Sequence, residues 1–274
     1  MGSGSPSALC YATIGGTVYP ITGGNVAGMH TPILDQGLRG IAAKDFGSFK
    51  GPFRAEGSLE GSLYTGLLSA LGTSIIGSGG ALSSSPSRLT IALYCGSGGI
   101  SAANCGVTEL TVRFSNAEGP VTYSTSFLGW TATSGAGGGG GSTLKPCVGW
   151  KTSVSGLGNC VVEGEITLSR EWALLYCGGD QYASNAYAGP LECTARFTTD
   201  FASTGDVNNV LSHGHGAVAV GFATDEGVSG GGISIPNFYF ADGLSEIDTG
   251  GVYSRFVVSG RGTYEDGDGP ASIS

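Results

Sequence analysis

Between Asn159 and Phe197 apolar and polar positions alternate. Val162, Gly164, Ile166 and Leu168 are interleaved with Glu163, Glu165, Thr167 and Ser169. After a Gly-rich interval, Leu191, Cys193, Ala195 and Phe197 are interleaved with Glu192, Thr194 and Arg196. A period of two predicts strands with one buried and one wet face. A fainter copy lies upstream. Leu93-Tyr94-Cys95-Gly96 echoes Leu175-Tyr176-Cys177-Gly178, and Glu109–Phe114 echoes Glu192–Phe197 in nearly the same register. Either one strand–loop–strand unit is used twice or β composition makes chance echoes cheap, and the shared register favours the first.

The rest of the chain reads mainly as strand. Val107–Phe114 and Val121–Trp130 form a hairpin across residues 116–120, with Leu110, Val112 and Phe114 on one face. Leu89–Tyr94, Ala217–Ala223, Ile233–Phe240 and Gly251–Tyr264 read as further strands, and Phe53–Leu63 as another. One helix stands out. Leu63, Leu67, Leu68 and Leu71 share a helical face, with Ser62 placed to cap its start and Gly72 to end it. A short helix follows over Asp206–Ser212, capped by Asp206. Residues 1–30 read as a Gly-rich terminus with one or two edge strands. Thr31–Gly51 shows no sustained period and reads as irregular, and Glu265–Ser274 as a mobile acidic tail. Ser134–Ser142 is nearly pure Gly; it reads as a solvated insertion within one domain spanning 1–274, or as a division into two parts.

Composition narrows the functional classes. Gly numbers 52, charged residues are 12% and hydrophobic residues 40%, a balance that suits β structure with many turns. Net charge is −9 with only 12 Lys and Arg, so a tight grip on nucleic acid is not expected. Seven Cys are scattered without a CxxC spacing, and a disulfide framework is not expected. No apolar run reaches membrane-spanning length, and the N-terminal residues lack the pattern of a signal peptide. A cytosolic origin is the expectation.

The search for chemistry finds no catalytic set. His213-Gly214-His215 is a close pair without a third ligand at a known spacing. Gly227-Val228-Ser229-Gly230-Gly231 spells a nucleophile elbow, but a strand follows where a helix is required. Glu163 and Glu165 face the same way, as sheet carboxylates do. The expectation is a structural protein: no enzyme, no cofactor, no metal.

The order of elements then carries a resemblance. A Gly-rich arm leads into LRGIAAKDFGSFKGPF, then AEGSLEGSLYTGLLSALGT, the hairpin VTELTVRFSNAEGPVTYSTSFLG, and the pair VVEGEITLSREW and YAGPLECTARFTTDF. This resembles the major tail tube proteins of long-tailed bacteriophages, particularly siphophages. The resemblance implies a β-sandwich or partial barrel with one flanking helix and long loops. It implies homohexameric rings stacked into the tail tube of a virion, assembled in the host bacterial cytoplasm. It implies as partners a tape measure protein, a tail terminator and baseplate or tail-tip proteins, and a lumen through which DNA passes without specific binding at ejection; no membrane is involved. Under that reading, Glu109, Glu118, Glu163, Glu165 and Glu192 are candidates for the pore wall. Leu34, Asp35, Arg39, Lys44, Asp45, Phe46, Phe49 and Lys50 are candidates for a loop reaching the next ring. The competing readings are a capsid decoration or baseplate protein and a surface adhesin.

Overall fold

The computed structural model describes residues 10–35, 47–78, 82–96, 98–117, 119–136, 142–158, 160–200, 203–247, 254–265 and 267–274. It is mainly antiparallel β. In chain order come β1 (Cys10–Ile14), β2 (Thr17–Tyr19), β3 (Gly23–Asp35), β4 (Gly47–Ser62), α1 (Leu67–Ile75), β5 (Leu89–Cys95), β6 (Gly98–Ser115), β7 (Thr122–Gly129) and β8 (Thr131–Ala136). Then follow β9 (Ser153–Ser155), β10 (Val161–Leu175), β11 (Asn185–Thr199), α2 (Thr204–Leu211), β12 (His215–Ala223), β13 (Ser229–Ile247), β14 (Ser254–Gly262) and β15 (Ser272–Ile273).

The spine is β6. Its first half pairs with β5 and β8, its second half with β7 and β10, so one strand serves two sheets. The change of sheet falls where Asn104 takes a left-handed φ of 55° and where Gly106 lies under the Trp172 indole. A Cβ at 106 would overlap that ring, and the indole Nε1 donates to the Val107 carbonyl at 3.0 Å. From the second half of β6 a sheet extends both ways, in the order β3-β4-β7-β6-β10-β11-β14-β13-β12-β9. It curls without closing. The curl brings β12 across the core from β6, where the Phe114 and Phe222 rings meet edge to face at 6.1 Å. The expected hairpin and the β10–β11 pair are both present. Ile166, Leu168, Cys193 and Phe197 are buried, as the alternation requires.

Helix α1 lies against this core with Leu67, Leu68, Leu71 and Ile75 fully buried. Its bounds differ from the sequence reading. Ser62 ends β4, the cap position is Gly66 at φ 80° with no side-chain cap, and Gly72 lies inside the helix. Glycine is required at 72 because a Cβ would stand 2.9 Å from Ile273. The C-terminal residues, expected to be mobile, therefore return as β15 beside β13, with Ile273 buried on the helix. Gly72→Val should detach β15. We expect a loss of about 1–3 kcal/mol in urea unfolding, reduced by the better helix propensity of Val over Gly. Carboxypeptidase should also trim the variant faster.

Other expectations are corrected in the same way. Thr31–Gly51 was expected to be irregular, yet its two ends are paired strands, with Pro32 opposite Lys50 and Asp35 opposite Gly47; 36–46 lies outside the described residues. The Gly-rich stretch begins as strand, since Ser134, Gly135 and Ala136 belong to β8; 137–141 lies outside the described residues. Helix α2 is capped by the Ser203 hydroxyl, which accepts from the Asp206 amide at 2.9 Å. Asp206 instead turns its buried carboxylate to the Gly158 amide, at 3.1 and 3.2 Å. Cys10 and Cys95, opposite each other on β1 and β5, are joined by a disulfide.

Candidate assembly surface

The wet faces of β4, β7, β6, β10, β11 and β14 form one continuous polar surface, because register aligns their outward residues across the sheet. Glu165 lies opposite Arg113 on one side and Arg196 on the other. Thr167 lies between Thr111 and Thr194, and Ser169 between Glu109 and Glu192. Arg196 continues to Ser259 and Thr194 to Arg261. In the other direction Thr111 meets Ser124, which meets Glu60. Four of the five candidate wall residues, Glu109, Glu163, Glu165 and Glu192, thus share one face. Glu118 lies outside the described residues.

That face is not uniformly acidic. Arg113 forms a two-pronged contact with Glu165, Nε to Oε2 at 3.0 Å and Nη2 to Oε1 at 3.1 Å. The hydrogen bond and charge of Glu165 raise the pKa of Arg113 further above its ordinary value. Both side chains are about half exposed, so the pair contributes under ~1 kcal/mol. Glu163 accepts from the Thr198 hydroxyl at 3.0 Å, and the Thr111 and Thr167 hydroxyls share a hydrogen bond at 3.0 Å. The face carries carboxylates at 56, 60, 109, 163, 165, 192 and 242 against guanidiniums at 54, 113, 196, 255 and 261. Open recesses of about 250, 340 and 400 Å³ run across the face. The first two share Arg113, and the last two share Glu165 and Arg196. The surface is therefore polar, recessed between its side chains and net acidic.

A strand edge borders it. Both β10 over Glu163–Ser169 and β11 over Cys193–Thr199 are paired on two sides within the chain, so neither offers a free edge there. By contrast β3, 13 residues long, pairs with β4 alone among the described residues. Pro32 within it suits an edge, since proline cannot donate to a ladder. β4 pairs with β7 only over Ala55–Ser62, so the remainder of the β3–β4 ribbon runs beyond the sheet as an arm.

The turn between β10 and β11 props that arm. The Phe53 amide donates to the Gln181 carbonyl at 2.7 Å, and Gln181 Nε2 donates to the Lys50 carbonyl at 2.7 Å. The Tyr176 hydroxyl donates to the Phe53 carbonyl at 2.8 Å. Rings of His30 and Tyr182 flank Phe53 at 4.9 and 5.4 Å. Met29, Ile33 and Tyr182 are 36%, 54% and 43% exposed. Of the candidate inter-ring residues, Lys50 is exposed on β4. Leu34 and Asp35 lie in β3 and Phe49 in β4, their side chains outside what is described, and Arg39, Lys44, Asp45 and Phe46 fall outside the described residues. The supporting turn escaped the sequence reading, since its bonds run to backbone carbonyls more than a hundred residues away.

The sheet is wide and joins a polar face, a strand edge that lacks a partner among the described residues, and a propped arm. A family model described as phage tail tube protein matches residues 34–270, most of the chain. The chain belongs to the phage tail tube protein family. No curated protein sequence matches it. The family match makes this a structural virion protein of the tail, and the tail tube protein's β-sandwich-like architecture agrees with the fold described above. It covers β4, the hairpin and the β10–β11 pair together, and of β3 only its last two residues. No helix among the described residues is long and apolar enough to cross a membrane.

Proposed function

We propose that copies of this chain close into hexameric rings that stack as the tail tube, and that the tube conducts DNA at ejection. The observation that carries this reading is the net-acidic polar face beside a strand edge that lacks a partner among the described residues. A ring around a pore needs a polar wall toward the axis. It also needs an edge on each copy for a head-to-tail contact, which closes a ring when the rotation between copies allows. In this arrangement Glu109, Glu163, Glu165 and Glu192 face the lumen, and Glu118 belongs to the same wall. DNA passing an acidic wall releases no counterions and gains no affinity, so it slides without specific binding. Leu34, Asp35, Arg39, Lys44, Asp45, Phe46, Phe49 and Lys50 make the contact with the adjacent ring. The whole chain acts as one domain. The tube encloses a tape measure protein and meets a terminator at one end and tail-tip or baseplate proteins at the other. It is assembled in the host bacterial cytoplasm.

Negative-stain microscopy of the purified chain tests this. We expect tubes of uniform diameter with a stain-filled lumen and sixfold end views. Monomers at high concentration, or closed shells of a decoration protein, would overturn it.

A further inference from the structure

The cysteines divide into groups with different chemical access. Cys105, Cys147 and Cys193 are buried, and burial pushes their thiols up to about 12, 11 and 12, which leaves almost no thiolate at neutral pH. Cys160 and Cys177 are exposed, but they sit just before and just after the 15-residue β10. An extended strand of that length holds them roughly 50 Å apart, so they cannot meet within one chain. Cys10 and Cys95 differ from all of these. They are opposite in the β1–β5 register with Cα atoms 4.2 Å apart, and Cys95 is open to solvent.

Their position in the fold matters as much as their access. Cys10 is the first residue of β1, where the N-terminal segment joins the sheet. Beyond it, β1 buries Ala12 and Ile14, and Tyr11 stacks on Tyr94 at 5.2 Å. Its ladder partners are β5 and the three-residue β2. A five-residue strand with so short a neighbour on one side opens before the core does, unless a covalent tie holds it.

We propose that the Cys10–Cys95 pair is a redox-operated lock on the N-terminal strand, open in a reducing medium and closed in an oxidising one. The closing step is thiol–disulfide exchange with a low-molecular-weight disulfide. The Cys95 thiolate attacks one sulfur of that disulfide and expels a small thiolate, giving a mixed disulfide. The Cys10 thiolate then attacks Cys95 Sγ and expels the second. Two protons and two electrons leave the protein pair, and one small disulfide becomes two small thiols. Closure ties residues separated by 85 positions and removes much of the freedom of the opened chain.

The test uses the unassembled full chain, so its outcome is separate from that of the tube reading. It is equilibrated with glutathione or glutathione disulfide, and bonds are counted by acid quench, alkylation and mass. Amide exchange is followed across Cys10–Ile14. We expect one bond, Cys10–Cys95, in the oxidised sample and none in the reduced one. Exchange across Cys10–Ile14 should be about tenfold or more faster when reduced, with β10 and β11 unchanged. Cys10→Ser and Cys95→Ser should each exchange at the reduced rate in both buffers. Equal exchange in the two redox states would overturn the proposal. So would seven alkylated thiols in glutathione disulfide, or an intrachain disulfide that includes Cys160 or Cys177.

Discussion

Arg170→Ala should destabilise the fold by about 3–5 kcal/mol, read from urea unfolding, although the side chain forms no ion pair in the structure's described residues. Arg170 is 5% exposed as a residue, and its guanidinium lies at the C-terminal end of α1. Its Nη1 donates to the Ile75 and Ile76 carbonyls at 3.0 and 3.3 Å, Nε to Gly189 at 2.8 Å and Nη2 to Ser83 at 2.7 Å. Those acceptors include carbonyls that a helix end leaves without partners, and they carry the negative pole of the helix dipole. Burial lowers the arginine's pKa from its ordinary value, a direction that opposes the charge, and the carbonyl cage offsets it. Truncation leaves the cage unsatisfied and opens a cavity joining α1, the segment after it and the β10–β11 pair. Arg170→Lys should recover only part of the loss, because one ammonium cannot span the fork. Arg113→Ala is the contrast. It removes a shorter list of contacts from an exposed pair and should cost under ~1 kcal/mol. Equal losses at 113 and 170 would show that the cage contributes little.

The two arginines also mark what a sequence can disclose. The β10–β11 pair and the β6–β7 hairpin were legible because each buries one face and wets the other, so the side-chain period is written in the residues themselves. Arg170 stands in the same strand at a position of the buried face, and nothing local says that its partners lie at 75, 76, 83 and 189. The end of α1 was misread for a similar reason. Gly72 looks like a stop signal, whereas it is a clearance for Ile273, two hundred residues on. The end of β3 from Thr31, and the start of β4 to Gly51, read as irregular because this part of the arm lies beyond β7 and exposes Thr31, Pro32, Ile33 and Lys50. Its Gly and Pro residues weakened the pattern further. The candidate wall was legible as a set of wet-face carboxylates, and the register that brings Glu109, Glu163, Glu165 and Glu192 onto one face supports grouping them. What alternation could not show is that Arg113, Arg196 and Arg261 join them there, since register across strands is fixed by the fold. The Cys10–Cys95 pairing depends on that same cross-strand register.

The double substitution Met29→Lys, Ile33→Lys should leave a folded chain and abolish polymerisation. Both side chains belong to the strand whose outer edge lacks a partner among the described residues, and both already face solvent. The free monomer should therefore lose no more than about 0.5 kcal/mol per site. In a ring of identical copies the cost differs, because every interface would receive both lysines, and an apolar strand edge would have to bury ammonium groups. Charge on an edge strand is how monomeric β proteins keep their sheets apart, so the substitution turns an assembly edge into a guarded one. A mismatch of this kind costs several kcal/mol at each contact. It repeats at every contact of the tube, so nucleation fails well before growth would. Circular dichroism and urea unfolding should match the parent, while sedimentation shows monomer and microscopy shows no tubes. Charge placed on the wet face of β10, for example Ser169→Lys, should permit tubes, since that strand is already paired on both sides. Tubes from the arm variant together with none from the β10 variant would move the proposed subunit contact from the edge of β3 to the wet face of β10.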